Sequence, residues 1–232
     1  MIFGDILVKN LTVRYGHKMT IQATTAHGEA RKSERRRRAI LEVAREIFLT
    51  QGFAATSMSE IAARLGGSKG TLYNYFRSKE ELFAAIMIDT CQGPANAVFD
   101  HMPATDGDIR AALITLGGGL LNFILSPESM AVNRIVVAES HRFPELGRIF
   151  YETGPRRGRI ELEAFFKDAI ANGKIGPCDP DTAGRRFKDL VLSDVYSHRL
   201  WGVVDPLSDQ QILDHVTQSV DIFLAAFAPV AV

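Results

Sequence analysis

The chain has 232 residues, with 27 Lys/Arg balanced by 27 Asp/Glu and 46% hydrophobic residues. That length allows one or two domains with a substantial core, and zero net charge excludes a nucleic-acid binder that works through bulk positive charge. The two cysteines, Cys91 and Cys178, are far apart and lack metal-ligand spacing, so the reading is a reduced, cytoplasmic chain, not a disulfide scaffold. The average hides a polarity, because residues 31–80 carry eleven Lys/Arg against five Asp/Glu, and residues 81–232 carry thirteen against twenty. A basic segment joined to an acidic one fits a phosphate-facing part followed by a part that phosphate avoids.

Residues 1–30 read as a poorly ordered arm. The opening MIFGDILVKNLTVRYGHKMT carries charge in every short apolar run and has no small-residue cleavage site, so it does not read as a secretory signal. Ile6–Val8 and Leu11–Val13 suit a weak strand, which a helical protein leaves without a partner. Met19 is an alternative start, followed by a polar stretch from Thr20 to Arg31. No window reaches membrane-spanning length; the most apolar, Ala111 to Leu125, is short and interrupted by Thr115 and Asn122.

Residues 31–78 read as one helical domain. A basic run from Arg31 to Arg38 leads into a helix whose Ile40, Val43, Ala44, Ile47 and Phe48 share a face. Cations at a helix start oppose its dipole, a placement that a nearby phosphate compensates. Ser57 with Glu60 spells a capping box, and Met58, Ile61, Ala62 and Leu65 give the next helix one apolar side. Gly66-Gly67 ends it, Ser68 caps a second short helix to about Phe76, and Ser78 with Glu81 caps a third. Two short helices across a glycine turn spell a helix-turn-helix. In its second helix, a rotation of about 100° per residue puts Leu72 and Phe76 on a burying side. Gly70, Tyr73, Asn74 and Arg77 take the opposite side, with Lys69, Thr71 and Tyr75 on the flanks. Hydroxyls, an amide, a phenol and cations around a glycine suit a DNA groove; a solvated face with two amphipathic tyrosines is the other reading.

Residues 36–83, RRRAILEVAREIFLTQGFAATSMSEIAARLGGSKGTLYNYFRSKEELF, resemble the DNA-binding domain of the tetracycline-repressor (TetR) family. The match runs through Phe48, Gly52-Phe53, Thr56, Ile61-Ala62, Gly67-Ser68, Gly70-Thr71-Leu72-Tyr73, Phe76 and Ser78-Lys79-Glu80. Gly67 departs from it, since the family usually places a hydrophobic residue there. The resemblance implies an all-α fold: an N-terminal three-helix helix-turn-helix domain and a C-terminal helical bundle for ligand binding and dimerisation. It also implies that Lys69, Gly70 and Tyr73 read bases, that Thr56, Thr71, Asn74, Tyr75 and Lys79 hold phosphates, and that the basic arm touches the backbone.

The resemblance implies that residues 79–232 form the effector and dimerisation part. A fourth helix from Lys79 to about Phe99 contains Gly93-Pro94, where a kink or break is expected; in the family this helix links the two parts. Asp108 to Leu125 contains Gly117-Gly118-Gly119, which costs about 3 kcal/mol against alanine and signals close packing or room for a ligand. Ser126-Pro127 opens the next helix, and Pro144 opens a long one that continues past Gly154-Pro155 to Ala171. Asp179-Pro180 opens a helix to Trp201, and Ser208 with Gln211 caps the last. Phe123, Phe165, Phe166 and Trp201 are candidate lining for an aromatic or hydrophobic effector. The family pairs its last two helices across a dimer, which sets two recognition helices about 34 Å apart on a palindromic operator.

Six scattered histidines, no HExxH, no nucleophile elbow and no phosphate-binding glycine loop leave no catalytic, metal or cofactor site to assign. The reading is a one-component transcription regulator: a homodimeric repressor released from double-stranded DNA by a small molecule. A DNA-binding protein controlled by a protein partner, and a helical ligand-binding protein that has lost DNA binding, are the alternatives.

Overall fold

Local capping sets where most helices start. The computed structural model describes residues 19–229, with side chains from residue 29 onward, and its regular elements are ten helices. These are α1 (Met19–Ala55), α2 (Met58–Arg64), α3 (Lys69–Tyr73), α4 (Lys79–Phe99), α5 (Ile109–Leu125), α6 (Pro127–Glu139), α7 (Pro144–Thr153), α8 (Pro155–Ala171), α9 (Pro180–Trp201) and α10 (Asp209–Phe227). Ser57, Ser68 and Ser78 each accept the amide three residues on, as do Asp108, Ser126, Asp179 and Ser208. Only the last of the expected capping boxes closes both ways, Ser208 with Gln211. Glu60 instead accepts from Gln51, and Glu81 from the Arg77 amide.

The chain divides into two units, residues 1–39 and 40–232. In the first, the expected strand at residues 6–13 lies outside the described residues. The expected irregular arm gives way to helix from Met19, because extending an existing helix costs far less than nucleating one. Arg31, Lys32, Arg35 and Arg38 are exposed there, and Arg38 pairs with Glu34 at 3.2 Å in a solvated contact of little energetic weight.

The second unit holds two apolar clusters. One joins Ile40, Leu41, Ala44, Ile47 and Phe48 of α1 to Ile61 of α2, Leu72 of α3 and Phe76. It continues without a seam into Leu82, Phe83, Ile86 and Met87 of α4, Val132 and Val136 of α6, and Leu146 of α7. A boundary at residue 79 therefore cuts through a core. The other cluster fills the bundle of α5, α8, α9 and α10 around Phe166, Phe187 and Phe223, whose rings pack 5.2–5.6 Å apart.

Three expectations change here. The helix α4 runs unbroken past Pro94, which is exposed, with buried Met87 and Phe99 anchoring the turns on either side. The long helix after Pro144 is two helices, broken at Gly154 (φ −129°, ψ −80°) with Pro155 as the first residue of the second. The glycine triplet divides its roles. A Cβ on Gly117 would meet Val216 Cγ1 at 2.8 Å and both Phe187 and Val191 at 3.3 Å, so this glycine is close packing of α5 on α9 and α10; Gly118 faces open space.

A break inside α9 was not anticipated. Ser193 has φ 35° and ψ −141°. The turn it interrupts leaves carbonyls that α10 collects: Ser219 Oγ donates to Leu190 O at 3.1 Å, and His215 Nε2 contacts Val191 O at 2.8 Å. A carbonyl can only accept, so Nε2 carries the proton and His215 is a structural histidine. Among the described residues no single helix is long and apolar enough to cross a membrane; α5 and α6 pass the test only together, bent by 60°.

Candidate nucleic-acid interface

The presentation of α3 begins with the turn before it. Gly66 adopts φ 63°, and the Gly67 amide reaches back to Ala62 O at 3.1 Å, so the chain reverses sharply after α2. Ser68 Oγ then accepts the Thr71 amide at 3.1 Å and lies 2.9 Å from Thr71 Oγ1, which fixes the first turn of α3. Regular helix ends at Tyr73, earlier than expected, and the next turn is carried by the Asn74 amide on Gly70 O and the Phe76 amide on Leu72 O. Leu72 and Phe76 are each 2% exposed and seat this segment in the first cluster.

What remains outside is the polar set. Lys69, Gly70, Tyr73, Asn74 and Arg77 are exposed, and Thr71 and Tyr75 are half-buried, with Tyr75 packed on the apolar cluster. Lys69 Nζ lies 5.8 Å from the centre of the Tyr73 ring, so cation and phenol form one contiguous patch. Glu46 and Arg64 pair at the α1–α2 side of this head, and Gln51 Nε2 donates to Glu60 at 2.7 Å. These contacts orient α2 without covering α3.

Two of the expected phosphate ligands are already engaged. Thr56 is 2% exposed, and its hydroxyl donates to Gly52 O at 2.7 Å, which closes the turn at the end of α1 where Gly52 has φ 80°. Lys79 Nζ donates to Phe53 O at 2.7 Å and Thr56 O at 3.0 Å, with Ala54 O at 3.4 Å, and sits 4.3 Å over the Phe53 ring. Desolvation pulls the Lys79 ammonium below the ordinary lysine range; Glu80 and Glu139 act against that pull. The first residue of α4 thus serves as a C-terminal cap for α1, since orphaned carbonyls at a helix end take a lysine well.

The candidate effector residues do not form one lining. Phe165 and Phe166 are 5% and 0% exposed, stacked edge to face at 5.3 Å inside the bundle core. Phe123 is half-buried on α5, and Trp201 is 69% exposed at the end of α9. An apolar recess of about 30 Å³ lies elsewhere, bordered by Phe48, Phe83, Ile86, Val132 and Ile135. Missed by the sequence reading was Glu139, whose carboxylate accepts the Ala54 amide at 3.0 Å. Missed too was Arg134, which donates to Leu200 O at 3.0 Å and Arg199 O at 2.6 Å and caps the end of α9. No local signal marks Glu139, since the partner of its carboxylate lies 85 residues away.

Comparison with known proteins agrees with this geometry. Residues 40–86 match the bacterial regulatory proteins of the tetR family, and residues 111–229 match the C-terminal domain of AefR-like transcriptional repressors. The uncharacterized HTH-type transcriptional regulator YhgD of Bacillus subtilis (strain 168) is 27% identical, over 77% of this chain and 90% of its own. Among solved structures, the flavonoid-responsive regulator FrrA is 33% identical, covers 85% of this chain and 100% of its own, and superposes with a TM-score of 0.76. A TetR-family transcriptional regulator from Mesorhizobium loti is 27% identical, with a TM-score of 0.74 over 84% of this chain and 98% of its own. An exposed polar patch on the second helix of a glycine-turned pair, joined to an α-helical bundle, completes the assignment. The chain belongs to the TetR family of helix-turn-helix, DNA-binding transcriptional regulators.

Proposed function

We propose that the chain acts as a cytoplasmic, homodimeric one-component repressor that leaves a palindromic operator when a small molecule binds its C-terminal bundle. The observation that carries this reading is the division of residues 69–76, α3 and the turn after it, with Leu72 and Phe76 locked in the core and Lys69, Gly70, Tyr73 and Asn74 presented outward. Lys69, Gly70 and Tyr73 are the proposed base readers. Thr71, Asn74 and Tyr75 are the proposed backbone contacts, and arginines of the 31–38 run are further proposed ones. Thr56 and Lys79 leave that list because their donors are engaged inside the head. Similarity to AefR-like repressors supports repression, and similarity to a flavonoid-responsive regulator supports an aromatic effector.

The test is a titration of Tyr73→Ala on the DNA upstream of the gene and on scrambled DNA. Its selectivity for upstream DNA should fall by about tenfold or more, in the range of one lost base contact, with scrambled-DNA affinity unchanged. An equal loss on both DNAs would make Tyr73 a non-specific contact and remove it from the readers.

A further inference from the structure

The turn between α1 and α2 is held from the body by two elements. From α4 comes Lys79, on the carbonyls of Phe53 and Thr56. From the end of α6 comes Glu139, whose Oε1 accepts the Ala54 amide at 3.0 Å and would stand 3.5 Å from a Cβ on Gly52. The backbone carbonyl of Glu139 also accepts the Arg142 and Phe143 amides, at 3.0 and 2.8 Å, so the residue forms the elbow into α7. That elbow sets the Phe143 ring edge-on against Phe53 at 5.1 Å, with Lys79 Nζ 5.6 Å from the Phe143 ring. Carboxylate, ammonium and two rings thus converge on four residues of backbone, Phe53 to Thr56. An ionised acceptor on a backbone amide is a strong hydrogen bond, and here both its ends are part-buried.

We infer that Glu139 is a positioning residue for DNA recognition: through the Ala54 amide, the α6–α7 elbow sets where α2 and α3 sit. The inference rests on the regulator reading for its purpose. Its route differs from a hinge in α4, since α4 is continuous through Pro94 and already shares the head's core. Movement of α6 on ligand binding would reach the helix-turn-helix across one hydrogen bond and one ring pair. This makes the elbow a discrete contact that is either made or broken.

Amide hydrogen exchange on the full-length protein tests the strut directly, for the wild type, E139A, E139Q and P94A. E139A should speed exchange at residues 53–57 and also at 68–76 by about tenfold or more, with α10 unchanged. E139Q keeps an acceptor oxygen and should stay within about threefold of the wild type; P94A should leave residues 68–76 unchanged. Wild-type exchange at 68–76 in E139A, an equal rise in α10, or the same loosening of 68–76 in P94A would each overturn the proposal. The same proteins titrated on upstream and scrambled DNA separate the two ideas. A wild type without preference would count against the regulator reading and leave the exchange result standing, whereas E139A should lose selectivity about tenfold.

Discussion

Lys79 illustrates how one side chain changes role with its surroundings. Family position makes it a phosphate ligand, yet its ammonium is surrounded by the carbonyls that end α1 and by the Phe53 and Phe143 rings. Charged hydrogen bonds of this kind contribute about 1.5–3 kcal/mol each when both ends are shielded, and less here because Lys79 is half-exposed. Lys79→Ala should therefore destabilise the protein by about 1–2 kcal/mol in urea unfolding, while the slope of log affinity against log salt stays at its wild-type value. A slope flattened by about one unit, with stability unchanged, would restore the phosphate role. Thr56 follows the same logic on a smaller scale, its hydroxyl used up on Gly52 O.

At the scale of elements, stability depends on how helix ends are tied together. Asp181, in the first turn of α9, receives Arg159 of α8 at 2.6 and 3.0 Å and Arg185 at 3.1 Å, with its side chain only 16% exposed. The Arg159 hydrogen bonds, then the charges of Arg159 and Arg185, hold its carboxyl below the ordinary range against the pull of burial. A carboxyl lowered in the folded state adds stability that is present above about pH 3.9 and is lost as pH falls through the folded value. Asp181→Asn should thus lower Tm at pH 7, and the difference from wild type should shrink as pH falls below about 3.9. A gap of constant size across that range would assign the effect to packing instead. Caps and prolines made these helix starts legible in sequence, because Asp179-Pro180 and Ser126-Pro127 act within one turn. The break at Ser193 was not legible, since its compensation comes from His215 and Ser219 on another helix. Pro94 misled in the opposite sense: the proline reads as a break in sequence, yet α4 continues through it between the buried anchors Met87 and Phe99.

Across the whole molecule, the sequence foretold a basic helix-turn-helix head and an acidic helical body, because charge and apolar period are local properties. The burying side of residues 69–76 was readable from Leu72 and Phe76 alone. How deeply the head enters the body was not, for Val132, Val136 and Leu146 have apolar spacing that would serve either cluster. The aromatic residues offered as an effector lining carry the same ambiguity, since a phenylalanine at helical spacing reads alike in a core and in a pocket. The central claim is that α3 makes this chain a sequence-selective DNA binder, and its most direct measurement is a titration of the full-length protein on its own upstream DNA and on scrambled DNA at two salt concentrations. The account predicts dimeric binding to the upstream DNA, tighter by about a thousandfold or more, with both affinities falling as salt rises. Equal, weak binding to both DNAs would contradict it.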